Sequence, residues 1–329
     1  MPEKIEYFLF SAEDYISATI FCVLERGVTT SVSVLGTDLA LEAAQIQMKT
    51  AHLTSRSGLE VRRSECGGYA LTHMHLTDPE QARQLERPVG RYITMELAPY
   101  LHRRQDFFAQ GVGCLARELA ALLPAGEAPV LVVGLGNRSL TADAVGPLAM
   151  SHILVTRHML CSMPEEFRGF SSVAALTTGV LAETGLETSE LVAAVAERIK
   201  PRCVIVLDAL AARSRERLCA VLQLTDTGLT PGSGVGNHRH PLNTETLGVP
   251  VIAIGVPTVV DSATLAADLL EESGVTDYDA EALQKSRQNL MVTSRDIDQQ
   301  VRDLGKVIGY GINWALQDLE IDEMNALLS

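Results

Sequence analysis

From residue 130 onward, short apolar runs alternate with amphipathic stretches. VLVVGLG (130–136), SVAALTTG (172–179), VIVLDAL (204–210), AVLQLTD (220–226) and VPVIAIGV (249–256) are rich in β-branched residues and bounded by Gly, Pro or Asp, the pattern of buried strands. Between them, residues 143–156, 189–200 and 262–272 carry helical spacing, with Asp261 as the N-cap of the last. A long helix is predicted over 297–317, with Val301, Leu304, Val307, Ile308, Ile312 and Ala315 close to helical spacing. Strands and helices alternating at these lengths predict an α/β fold with a mostly parallel central sheet and helices on both faces.

The first hundred residues read differently. TSRSGLEVRRSECGGYALTHMHL (54–76) predicts an antiparallel hairpin, with helical runs at 39–49 and 103–123 on either side. These strands are expected to extend the edge of the main sheet rather than to form a separate domain. PAGEAP (124–129) is a short loop, too brief to be an interdomain linker.

Composition narrows the possibilities. With 27 basic against 41 acidic residues, the net charge of −14 repels a phosphate backbone, so no direct nucleic-acid partner is expected. The apolar patches of residues 7–24 are broken by Glu13 and Asp14 and lack the basic start of a signal peptide, so neither export nor membrane insertion is expected. Six cysteines, at 22, 66, 114, 161, 203 and 219, form no CxxC pair, which reads as reduced, mostly buried thiols of a cytoplasmic protein.

The chemistry concentrates in VLVVGLGNRSLTADAVGP (130–147), a strand, a glycine turn and a carboxylate at a helix start. A dinucleotide fingerprint would need a third glycine and a distant acid; Gly134 and Gly136 are followed by Asn137, Arg138 and Ser139, and no GK[ST] follows for a Walker loop. Ligands of open α/β sheets bind beyond the carboxyl ends of the strands, and two acids stand there: Asp143 after the first strand and Asp208 at the close of VIVLD. Facing carboxylates divide into acid and base, or hold a metal. The rival account makes Asp143 a helix cap and Asp208 a stabiliser of the turn that follows.

Several long strings shift that balance. VVGLGNRSLTADAVGPLAMSHILVTRH (132–158), DALAARSRERL (208–218), QLTDTGLTPGSGVGN (223–237), GVPVIAIGVPTVVD (248–261), MVTSRDID (291–298) and IGYGINWAL (308–316) closely resemble the germination protease family of spore-forming bacteria, as do GTDLALEA (36–43) and RPVGRYITMELAP (87–99). The resemblance implies an endopeptidase that degrades small acid-soluble spore proteins at germination, a fold like that of the hydrogenase maturation peptidases, and an essential aspartate pair that falls on Asp143 and Asp208. It implies a homotetrameric precursor of the spore cytoplasm that trims itself near Asp38 and Leu39. Residues 1–38 are then a leader, and 39–329 one peptidase domain, with 39–125 carrying the edge hairpin and 126–329 the core. Gly36 stands where the family usually has Arg, and the leader is unusual in length and content.

One carboxylate would take a proton from the attacking water while the other donates one; the sequence assigns neither role. Asn137 and the loop of Gly232, Ser233, Gly234 and Asn237 are candidates to line the cleft or to face the developing oxyanion, with tight-turn geometry as the alternative for the glycines. No cofactor is expected. The alternatives are a metal-assisted peptidase in which the same two acids bind a divalent ion, and a non-catalytic binder of spore proteins. His238 and His240 are weak metal candidates, better read with Arg239 as a solvated turn. Asp226-Thr227-Gly228 matches an aspartic peptidase tripeptide, but a single copy reads as coincidence.

Overall fold

The structure, a computed structural model, describes residues 37–49, 58–236, 239–275, 277–278 and 290–328. One sheet dominates them. Helix α1 (Ala40–Lys49) precedes the hairpin β1 (Leu59–Cys66) and β2 (Tyr69–Leu76), then α2 (Pro79–Leu85), β3 (Gly90–Glu96) and α3 (Phe107–Ala120). The α/β part follows: β4 (Val130–Leu135), α4 (Val145–Met150), β5 (Val173–Gly179), α5 (Thr188–Ile199), β6 (Cys203–Ala212), β7 (Val221–Thr225), β8 (Val251–Asp261), α6 (Ser262–Glu272), β9 (Met291–Val292), α7 (Ile297–Gln317) and α8 (Ile321–Leu328).

The strand order is β1-β2-β3-β7-β8-β6-β4-β5, with β9 beside β8. Four strands, β5, β4, β6 and β8, form a parallel centre, and from β7 outward every pairing is antiparallel, so the sheet as a whole is mixed. The two halves match their sequences. Along β4, Val130 and Val132 face a core completed by Val301, Leu304 and Ile308 of α7, while Leu131, Val133 and Leu135 face one completed by Val192 of α5. A strand covered on both faces has no polar alternation, and every residue of β4 is buried. At the far edge, β1 (LEVRRSEC) buries only Leu59.

Three boundaries depart from the sequence expectation. The helix predicted over 143–156 is only α4, because Asn313 of α7 captures the backbone beyond it: its amide donates to the His152 carbonyl and its Oδ1 accepts the Leu154 N–H, both at 2.8 Å. The helix predicted from 103 starts at Phe107, after Arg103 and Asp106 turn left-handed. Strand β6 does not close at Asp208 but continues to Ala212, because β8 runs beside it as far as Val260. Asp261 caps α6 as expected, accepting the Thr264 N–H at 3.0 Å. Among the described residues no helix is long and apolar enough to cross a membrane. Five of the cysteines are described, all as free thiols; Cys22 lies outside the described residues.

Candidate active site

Strand β4 connects to β5 on one side, and the connection after β5 returns to β6 on the other side, so the strand order reverses between β4 and β6 and a crevice is expected at their carboxyl ends. The connection out of β4 is built around Asp143. Gly136 has φ +102°, and a Cβ on it would lie 2.1 Å from the Asp143 carbonyl oxygen and 2.9 Å from its Oδ1. Only glycine permits this turn and this approach together. The Asn137 N–H donates to Asp143 Oδ2 at 2.7 Å, and Asn137 Oδ1 accepts the Ser139 N–H at 2.7 Å. Two bonds to outside residues tie the loop down: Thr258 of β8 donates to the Ala142 carbonyl at 2.6 Å, and the loop's own Thr141 donates to Asp298 of α7 at 2.8 Å. At Gly146 a Cβ would meet carbonyl oxygens of Leu135 at 2.3 Å and Leu207 at 2.7 Å, so α4 presses directly on the ends of β4 and β6. Gly136 thus serves the acid, and Gly134 and Gly146 serve the close approach of α4 to the strands.

Asp143 does not cap α4; the N-cap position belongs to Ala144. Burial pushes its carboxyl above the ordinary range, with Glu183 adding to the shift and the Asn137 N–H opposing it. Asp208, on the neighbouring strand, is 7% exposed and accepts the N–H of Ala209 at 2.9 Å. Burial first, then the Asp143 and Asp38 carboxylates, raise its pKa well above the usual value. Two anions acting on one buried acid favour its protonated form.

The third carboxylate belongs to the segment that precedes α1. Asp38 pairs with the far end of β6: its N–H donates to the Ala211 carbonyl at 2.9 Å, and its Oδ2 accepts the Ala211 N–H at 2.8 Å. The Ser233 hydroxyl donates to its Oδ1 at 2.6 Å, and a Cβ on Gly234 would lie 2.3 Å from its Oδ2. Leu39, 2% exposed, packs with Leu210, Ala212, Val221 and Val260. Gln223 of β7 grips both sides: its Oε1 accepts the Ala40 N–H at 2.7 Å, and its Nε2 donates to the Asp38 carbonyl at 3.3 Å. The Thr37 hydroxyl and the backbone N–H groups of Arg213 and Ser214 donate to buried Glu42, and the Arg87 guanidinium donates to the Thr37 carbonyl.

The residues singled out in the sequence therefore divide. Asp143, Asp208, Asp38, Leu39, Ser233 and Gly234 belong to one neighbourhood, and Gly232, with φ +74°, turns the chain into the loop that carries Ser233. Asn137 lies beside Asp143, and its N–H is given to that carboxylate. Asn237 and His238 lie outside the described residues, and His240 is exposed. Among the described residues no group of three or more His, Cys, Asp or Glu side chains is arranged to hold a metal ion. Asp226 accepts the backbone and guanidinium N–H groups of Arg91 at 2.8 and 2.7 Å, a structural role. Sequence reasoning missed Gln223, whose signal was a lone amide within an apolar strand.

A family model described as germination protease matches residues 36–275, a span that holds both acids and the whole Asp38 segment. The chain belongs to the germination protease family. Relatives in that family are similar over nearly their whole length. A germination protease of Caldanaerobacter subterraneus subsp. tengcongensis is 40% identical over 90% of this chain and 99% of its own. One from Clostridium tetani is 37% identical over 89% and 99%, and one from a Geobacillus strain is 33% identical over 92% and 98%. Membership makes the chain an endopeptidase of spore germination. Among solved structures, the [NiFe] hydrogenase maturation protease HycI of Thermococcus kodakarensis aligns with 60% of this chain and 99% of its own at 18% identity and a TM-score of 0.33. At that distance nothing about the site follows from it.

Proposed function

We propose that this member of the germination protease family degrades small acid-soluble spore proteins in the spore cytoplasm, that it is made as a homotetrameric precursor, and that Asp143 and Asp208 carry the reaction.

 The observation that carries this reading is that the carboxylates of Asp143 and Asp38 both lie close enough to act on Asp208 of β6, Asp38 being held against Ala211 of the same strand as part of the chain's own Thr-Asp-Leu segment. In the proposed reaction Asp208 holds a proton, because burial and two adjacent anions disfavour its charge. Asp143, whose ionised form is eased by the Asn137 N–H, takes a proton from the attacking water. Asp208 then gives its proton to the departing nitrogen.

The same chemistry would open the chain's own Asp38–Leu39 bond and release residues 1–38. Residues 39–329 then form the working peptidase domain. No metal takes part in these steps, so activity in EDTA is expected to equal activity without it; a loss in EDTA that added metal restores would favour the metal-assisted reading. The decisive experiment incubates the full-length chain with a small acid-soluble spore protein, beside Asp143→Asn and Asp208→Asn. Both variants are expected to leave the substrate and the leader uncut. Cleavage by either at the parent rate removes that residue from the mechanism, and binding without cleavage by the parent makes the chain a binder.

A further inference from the structure

We infer that Gln223 is a further catalytic residue, the donor that stabilises the oxyanion formed on the scissile carbonyl. The inference rests on the proposed opening of the Asp38–Leu39 bond.

Three observations meet on Gln223. It stands in β7 opposite Gly255 of β8, and Gly255 stands opposite Asp208 of β6, so Asp208 and Gln223 share one row and one face of the sheet. Adjacent strands lie about 4.8 Å apart, which puts the two backbones about 10 Å from each other, with a glycine between. Leu210 lies over that glycine and packs with Leu39, so the trough between acid and amide has an apolar floor.

The chain's own segment lies in this trough, and Gln223 holds it on both sides of the bond. The Ala40 N–H can only donate, so the oxygen of the amide must face it; the nitrogen is thereby aimed at the Asp38 carbonyl. That carbonyl is the one that water would attack. Its hydrogen bond, 3.3 Å in this ground state, is long. A donor that is loose on a neutral carbonyl and tightens as negative charge develops stabilises the transition state more than the substrate, which is the condition for accelerating the step. Both contacts are to backbone, so they apply to any peptide placed in the trough. Gln223 is itself only 7% exposed, which keeps water from competing for the amide.

The steps balance as follows. Water adds to the Asp38 carbonyl carbon while Asp143 takes one of its protons, and the carbonyl electron pair moves onto the oxygen, where the Gln223 N–H receives it. That pair then re-forms the double bond, the bond to the Leu39 nitrogen breaks, and the nitrogen takes the proton of Asp208. Solvent resets the two carboxyl groups.

The test uses the full-length chain carrying Gln223→Met, which keeps the length of the side chain and removes both polar atoms, and Gln223→Asn, which keeps the amide but withdraws it. For cleavage of a spore protein, kcat is expected to fall roughly 10²- to 10³-fold in Gln223→Met, with KM changed less than about threefold. A peptide with a tetrahedral phosphinate in place of the scissile amide is expected to lose binding by a similar factor, while the uncut peptide does not. A kcat within about threefold of the parent overturns the assignment, as does an equal loss of phosphinate and peptide binding, which is the mark of a merely structural residue. If Gln223→Met fails to fold, Gln223→Asn is read by the same criteria. Mass spectrometry of the parent chain separates the two layers: no cut between Asp38 and Leu39 removes the processing reading, whereas a normal cut by the variants removes Gln223 alone.

Discussion

Two segments bring a carboxylate to the rim of this sheet, and they are held in opposite ways. The Asp143 carboxylate is held from within its own loop, by the Asn137 N–H and a turn shaped by Gly136, while Thr258 and Asp298 pin that loop from outside. Asp38 is held almost entirely by distant residues, with Ala211 173 positions away and Ser233 195 away. Cutting the chain beside Asp38 leaves every one of those partners in place. The first carboxylate is therefore part of the scaffold, and the second is an occupant attached by the chain that it would be cut from.

The largest expected effect lies in the scaffold pair. Asp143→Asn and Asp208→Asn should each lower the rate of spore-protein cleavage by roughly 10²- to 10⁴-fold, measured by gel or chromatography under single-turnover conditions. Their stabilities should part company with their activities. The raised pKa of Asp208 means that the folded state keeps a proton which the unfolded chain gives up first as pH rises. Its stabilising effect is full below the ordinary carboxylate value of 3.8 and is lost as pH climbs through the raised one. Thermal melts should accordingly show Tm falling with rising pH across that window in the parent, and a flatter profile in Asp208→Asn.

Gly136→Ala comes next. It forces a side chain into a left-handed turn and against the Asp143 carbonyl, which should cost roughly 2 kcal/mol or more of stability in denaturant titrations and most of the activity. Ser233→Ala probes the occupant instead. Losing a hydroxyl that donates to a carboxylate costs about 1.5–3 kcal/mol, so a peptide ending at Asp38 should inhibit the processed enzyme at least tenfold less well. Unfolding of the processed enzyme itself should change by less than about 0.5 kcal/mol. An equal loss in both measurements would mean that the two segments do not differ as described. The smallest effect is expected from Thr141→Ala, which removes one exposed bond to Asp298: about 0.5–1 kcal/mol in Tm-derived stability, and a change in kcat of less than about threefold.

How far the sequence carries can be followed residue by residue. The strand at 130–136 and the helix at 297–317 were legible because their apolar patterns report burial directly. The direction of β7 was not, because AVLQLTD reads the same whether its neighbour runs parallel or antiparallel. The helix from 143 was overestimated because the residue that ends it, Asn313, lies far along the chain. At the site, Asp143 and Asp208 could be chosen from strand ends and from resemblance. The strand-end argument was right about neighbouring strands and wrong about where β6 stops. The partners of Asp38 and of Gln223 were not legible, since each bond joins residues more than 170 positions apart, and the lone amide of Gln223 in an apolar strand marked a polar role without saying what it holds.

The tether on Asp38 also has a kinetic meaning. A segment joined to its site by a short stretch of chain competes at an effective concentration of the order of millimolar, whatever the amount of protein present. A free spore protein that binds with the same intrinsic affinity as the segment would have to exceed that concentration to displace it. Breaking one peptide bond turns the same contacts into an ordinary bimolecular encounter, and dilution does the rest.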